Sequence, residues 1–162
     1  MKQELVGVRY VEAGPIHYCS PGSLLLGQGD YAIVRTDRGE RLGWIVLTPD
    51  QTEHINVDGP VRVVDRLASL DEVDRHREQK RRAEADVLRA QAPATRVDQR
   101  VRVASLTYDL SGDFAELTYT AREGAALDDR LEREIGRELE IPHLQVEQVG
   151  DRDRAKALGG LG

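Results

Sequence analysis

Every residue from Asp74 to Arg82 is polar, so a single apolar core cannot run through the middle of this chain. Ser69 and Glu72 stand at capping-box spacing, each placed to satisfy a backbone N–H that the first helical turn leaves free, and a helix is expected from near Ser69. Asp71/Arg75, Glu78/Arg82 and Arg82/Asp86 fall at i,i+4 along it, pairs worth about 0.2–0.5 kcal/mol each on a solvated face. Apolar side chains return at Ala83, Val87, Leu88 and Ala90, and Pro93 is expected to end the helix. The result is a connecting helix, docked at its ends and exposed in its centre, between two lobes. The expected boundaries are 1–66 for a small β lobe, 67–94 for the helix and 95–162 for a second lobe.

The first lobe reads as short strands, Leu5 to Val11, Ile16 to Cys19, Tyr31 to Arg35, Leu42 to Leu47 and Val61 to Val64, punctuated by Gly and Pro turns. Such spacing suggests a small barrel or curled sheet. Val34 to Val46, with Asp37-Arg38-Gly39 near its middle, is the clearest hairpin. The second lobe reads β-β-α-β-α. Val101 to Leu110 and Phe114 to Ala121 flank a Ser111-Gly112-Asp113 turn, with Ala104, Leu106, Tyr108 and Leu110 expected on the buried face beside Ala115, Leu117, Tyr119 and Ala121. A helix from about Ala125 to Glu140 carries an apolar stripe, Leu127, Leu131, Ile135 and Leu139, that covers this hairpin. Leu144 to Val149 alternates as a third strand, and Asp151 to Leu158 can form a closing helix. The fold class is therefore α+β.

Composition narrows the function. A net charge of −6 and a pI near 5.3 argue against tight, non-specific binding to a phosphate backbone. Aromatic residues make up only 4% of the chain, too few for a base-stacking platform. The single cysteine, Cys19, excludes an intrachain disulfide, and neither a signal-peptide pattern nor an apolar run of membrane-spanning length is present, so a cytoplasmic location is expected. His17 and Cys19 share a strand face, yet zinc takes three or four protein ligands; no metal site is expected. No serine has a G-x-S-x-G setting, no Cys-His pair carries a protease pattern, and the carboxylates of Asp128 to Glu140 are accounted for by solubility and i,i+4 pairing. No catalytic residue is expected.

The most specific local feature is Gln148-Val149-Gly150-Asp151-Arg152-Asp153-Arg154-Ala155-Lys156, a strand end, a glycine and a helix start in succession. Its backbone N–H groups with Arg152 or Lys156 can receive an anion. Equally, Asp151 or Asp153 caps the last helix and the basic residues are solvated.

The tail QVGDRDRAKALGGLG, with GVRYVEAGPIHYCSPG and GDYAIVRTDRGERLGWIVLTP before it, resembles the PSP-one C-terminal domain family, whose bacterial branch is the RicT (YaaT) type. Gly150, Arg152, Asp153, Ala155, Lys156, Gly159, Gly160, Leu161 and Gly162 carry the resemblance, supported by Gly7, Val8, Arg9, Gly29, Asp30, Gly39 and Gly43. It implies a non-enzymatic regulatory adaptor: RicT-like proteins join the small helical partners RicA and RicF, associate with RNase Y, influence mRNA processing and are linked to a developmental phosphorelay. Some eukaryotic relatives look like RNA-binding proteins. Two departures stand out. Family members continue past G-G-L-G with a cysteine-rich segment that takes part in iron–sulfur binding. With Cys19 alone, this sequence is expected to hold no cofactor, being either a piece of a longer protein or a cluster-free relative. Glu147 stands where a basic residue is expected and Arg154 where an acidic one is. On the adaptor reading Arg152 and Lys156 are the polar contacts to partners, and Gly150 and Gly159 shape the backbone. The alternative is a direct RNA-binding module using Lys80, Arg81 and Arg82 with Arg152 and Lys156.

Overall fold

The computed structural model describes residues 3–121 and 127–150, and the chain divides into two compact units, Met1–His76 and Arg77–Gly162. In the first, β1 (Val6–Arg9), β2 (His17–Cys19), β3 (Tyr31–Thr36), β4 (Gly39–Leu47) and β5 (Val64–Leu67) form one antiparallel sheet in the order β2-β1-β4-β3-β5, with a short 3-10 turn at Pro49–Thr52. Ser20, just past one edge strand, bridges Val63 beside the other: its N–H donates to the Arg62 carbonyl at 2.8 Å, and its carbonyl accepts from Val64 at 2.9 Å. The sheet thus curls back on itself, as the strand spacing implied. The β3–β4 hairpin turns through Asp37 and Arg38. Thr36 Oγ1 accepts from the Arg38 N–H at 3.1 Å and donates to the Gly39 carbonyl at 2.9 Å, while Gly39 takes φ +90°, a conformation that costs a glycine little. Val6, Val8, Cys19, Leu26, Ala32, Val34, Ile45 and Val64 fill the interior.

The fifth strand lies later than the valine run suggests. Val63 is spent on the bridge to Ser20, and pairing with β3 begins only at Val64 and continues to Leu67. Arg66 on β5 then reaches three carboxylates, Glu40 of β4 at 2.7 Å, Asp65 at 2.5 Å and Glu72 at 2.5 Å. Glu72 belongs to the expected capping box, which is present: its N–H donates to Ser69 Oγ at 3.2 Å, and its Oε1 accepts from the Ser69 N–H at 3.0 Å. The Arg66 guanidinium, then the Ser69 N–H, hold the Glu72 carboxyl below its ordinary range.

Helix α1 (Leu70–Val97) begins in the first unit and continues through the second. It runs past Pro93, which removes one backbone hydrogen bond and costs about 3 kcal/mol in a helix interior. Pro93 and its neighbours Ala90 and Ala94 are fully buried, and that packing offsets the loss. The first turn of the helix is held by the Arg66–Glu72 contact rather than by apolar packing, and its centre is not free, since Gln79 and Arg82 donate to the Leu110 and Gly112 carbonyls. Leu70 and Leu88 are exposed, and its buried residues, Ala83, Asp86, Ala90, Pro93 and Ala94, all lie from the middle of the helix onward.

The second unit adds β6 (Arg102–Tyr108), β7 (Phe114–Thr120), α2 (Asp128–Glu138) and β8 (His143–Gln148). The sheet order is β6-β7-β8, with β6/β7 antiparallel and β7/β8 parallel, the parallel pair joined through α2. In the β6–β7 turn the Asp109 carboxylate accepts from the Gly112 N–H at 2.9 Å and the Phe114 N–H at 3.2 Å, and Gly112 takes φ +84°. Leu127, Leu131, Ile135 and Leu139 pack as expected on Leu106, Tyr108, Ala115, Leu117 and Tyr119, in one core with Ala83, Ala90 and Ala94 of α1. Two expected positions, Ala104 and Leu110, are buried but lie outside that core. A bulge at Ala104 shifts the register between Val103 and Ser105, so Val103 and not Ala104 joins that core opposite Tyr119. The start of the second helix near Ala125 and the closing helix from Asp151 lie outside the described residues. Among the described residues no helix is long and apolar enough to cross a membrane.

Candidate functional site

Both α1 and α2 lay their apolar sides on the same core, and α2 carries a second stripe beside its buried one: Arg130, Arg133, Glu134 and Arg137, at i, i+3, i+4 and i+7. With Arg96 and Val97 from the last turn of α1 they line an open groove of about 820 Å³. Two arginines are matched. Arg96 donates to Glu138 Oε2, and Arg137 Nη2 donates to both oxygens of Glu134 at 2.9 and 3.0 Å. Arg130 and Arg133 are exposed and make no ion pair among the described residues. Four guanidinium groups outnumber the carboxylates beside them, Glu134, Glu138 and Asp98, so the groove is net positive, opposite in sign to the chain. At the end of α1, Asp98 is drawn down to about 2 by the Arg100 side chain, by the Arg100 N–H, and last by the fields of Arg100 and Arg130. Arg forks match carboxylate and phosphate oxygens, so the groove can accept anionic groups.

Of the residues singled out from sequence, Gly150 is exposed just beyond β8, after Val149, whose N–H donates to the Tyr119 carbonyl at 2.8 Å. Arg152, Lys156 and Gly159 lie outside the described residues, as does Arg154, while Glu147 is exposed on β8. Lys80 and Arg81 are exposed on α1. Arg82 is turned onto its own unit: it donates to the Gly112 carbonyl at 3.0 Å, approaches Asp86 at 3.4 Å and lies 4.0 Å over the Tyr108 ring. Asp86, read from spacing as half of a surface pair, is buried, and the Tyr108 hydroxyl donates to it at 2.7 Å. In sequence the groove's α2 arginines read as part of a solvated charged helix. The i, i+3, i+7 arginines of α2 were the groove's one sequence signal, and nothing local brings Arg96 to them.

In the first unit, Tyr10 meets His17 with ring centroids 5.1 Å apart, and the Arg41 guanidinium lies 4.9 Å over the Tyr10 ring. Burial, then the neighbouring Cys19, pushes Tyr10 up to about 12, and burial pushes the Cys19 thiol up. Among the described residues no group of three or more His, Cys, Asp or Glu is placed to hold a metal ion.

Fold and groove together define an α+β protein with a curled β unit and a β-β-α-β unit that carries an arginine-lined groove. The chain is YaaT/RicT-like along nearly its whole length: it is 26% identical over 160 residues to the stage 0 sporulation protein YaaT of Bacillus subtilis (strain 168). The match covers 98% of this chain and 57% of YaaT, so the chain spans little more than half the length of that curated relative. No family model matches the chain, and no solved structure matches it.

Proposed function

We propose that this chain is a non-enzymatic regulatory adaptor of the RicT type, working in the cytoplasm and holding RicA/RicF-like helical proteins and RNase Y in an RNA-processing and developmental phosphorelay assembly. The observation that carries the reading is the likeness to a sporulation protein over 98% of the chain; the groove on the second unit supplies a charged surface suited to recognition. The PSP-one tail, with Arg152 and Lys156 as partner contacts and Gly150 and Gly159 shaping the backbone, is the second candidate surface. An iron–sulfur cluster does not fit these residues. Clusters take several thiolates, whereas Cys19 is the single cysteine, buried, with its neutral thiol favoured.

Exposure of Lys80 and Arg81 supports a second reading, direct contact with RNA. Titration of purified chain with purified partner proteins and with single-stranded RNA across a salt series separates the two. RNA held through about three phosphates loses roughly 20-fold in affinity between about 50 and 200 mM salt. The adaptor reading predicts partner binding that survives this range and RNA binding too weak to saturate. Saturable, steeply salt-dependent RNA binding without partner binding overturns it.

A further inference from the structure

The α1–α2 groove pairs an unusual charge pattern with a helical repeat. Arg130, Arg133 and Arg137 advance along α2 at i, i+3 and i+7, so their side chains recur every 5–6 Å or so, the spacing between successive turns of one helix face. Carboxylates at i, i+3 or i+4 on a second helix recur at the same interval. Resting on the adaptor reading, we propose that this groove receives an acidic helical segment of a partner protein, whose carboxylates pair with Arg130 and Arg133 while Val97 meets its apolar flank.

The lining favours a carboxylate-bearing helix over a nucleic-acid strand. Among the described residues no aromatic side chain lines the groove to stack a base. Glu134 and Glu138 sit among the arginines, and a continuous phosphate backbone cannot avoid their repulsion, whereas a helix with spaced carboxylates can offer neutral positions opposite them. Arg96 and Arg137 are already matched to those glutamates, which leaves Arg130 and Arg133 as the pair open to a partner. All four arginines are exposed, so docking displaces water from guanidinium groups and disrupts no core contact. The positive balance of the groove within an acidic chain also steers a negatively charged segment to this face and away from the rest of the surface.

The test uses the full chain and a fluorescein-labelled peptide of about 14 residues, an Ala/Leu helix with Glu at every third or fourth position, read by fluorescence anisotropy at about 50 mM salt. The wild-type chain should bind this peptide saturably, and the double reversal Arg130→Glu/Arg133→Glu should weaken it about ten-fold or more. Equal binding to the reversed chain overturns the proposal, as does no wild-type binding at about millimolar peptide. Single-stranded RNA of matching charge that displaces the peptide at lower concentration also overturns it, making the occupant a phosphate backbone. Circular dichroism of the double variant should match the wild type, since neither residue is buried. Partner proteins titrated against the same variant keep the two ideas apart. Partner binding retained in full by the variant removes the groove and leaves the adaptor, whereas partners that never bind the wild type remove the adaptor itself.

Discussion

Replacing Asp86 by Ala strips out the acceptor around which the second unit orders three side chains. Asp86 is 4% exposed. The Tyr108 hydroxyl donates to its Oδ2 at 2.7 Å, Arg89 Nη1 donates to its Oδ1 at 2.8 Å, and Arg82 Nε lies 3.4 Å away. The side chains of Arg82 and Arg89 are 38% and 60% exposed, so both regain water when the carboxylate is lost and contribute little to the cost. The buried tyrosine hydroxyl has no such recourse, and an unsatisfied buried donor costs about 1–3 kcal/mol. Adding the loss of the charged acceptor gives roughly 3 kcal/mol for Asp86→Ala. Tyr108→Phe leaves the carboxylate its two arginines and should cost about 1.5–2 kcal/mol. The double variant should then cost about 3–3.5 kcal/mol, short of the sum by about 1.5 kcal/mol, because both substitutions remove the same bond. Urea unfolding followed by far-UV circular dichroism measures the second unit, since most helix lies in α1 and α2. Single costs below about 0.5 kcal/mol, or additivity within about 0.3 kcal/mol, would refute the assignment of Asp86 as an organising acceptor.

Three further outcomes follow from local geometry. A Cβ at Gly43 would meet Val8 Cγ1 at 2.6 Å and the Arg9 carbonyl at 2.8 Å; Gly43→Ala should therefore destabilise the first unit by about 1–3 kcal/mol, seen in the fluorescence transition of the single tryptophan, Trp44. Leu131→Ala should cost about 2–5 kcal/mol and Leu88→Ser less than about 0.5, because the first is fully buried and the second 77% exposed; equal effects in thermal melts would contradict the packing of α2 and the exposure of Leu88 on α1. Burial, then Cys19, lifts Tyr10 to about 12, and burial followed by hydrogen bonds to Asp86 and Asp128 lifts Tyr108 and Tyr119. Raised folded values mean that these tyrosines contribute stability in full below about pH 10, the unfolded value, and lose it as pH climbs through about 12. The urea midpoint should fall across that window, and a flat profile would contradict the burial assigned to them.

Turn chemistry and side-chain period made much of the fold legible. Gly39 and Gly112 mark their hairpins because the positive φ each turn needs is cheap only for glycine, and the stripe from Leu127 to Leu139 has one helical solution on an apolar hairpin. What stayed hidden depends on partners distant in sequence. The bulge at Ala104 is set by pairing with β7, so alternation alone put Ala104 where Val103 packs. Pro93 reads as a helix end until the core that buries it is in place, and the late start of β5 follows from the bridge between Ser20 and Val63. The groove was hidden for the same reason. Its arginines look like ordinary surface charges until α1 delivers Arg96 and Val97 beside them.

The adaptor reading is tested most directly by affinity isolation of this chain from its own cells, with nuclease added before capture and bound proteins identified by mass spectrometry. RicA/RicF-like proteins and RNase Y recovered undiminished after nuclease are the predicted result. Capture that vanishes with nuclease, with RNA recovered in its absence, would contradict the account and make the chain an RNA-binding module.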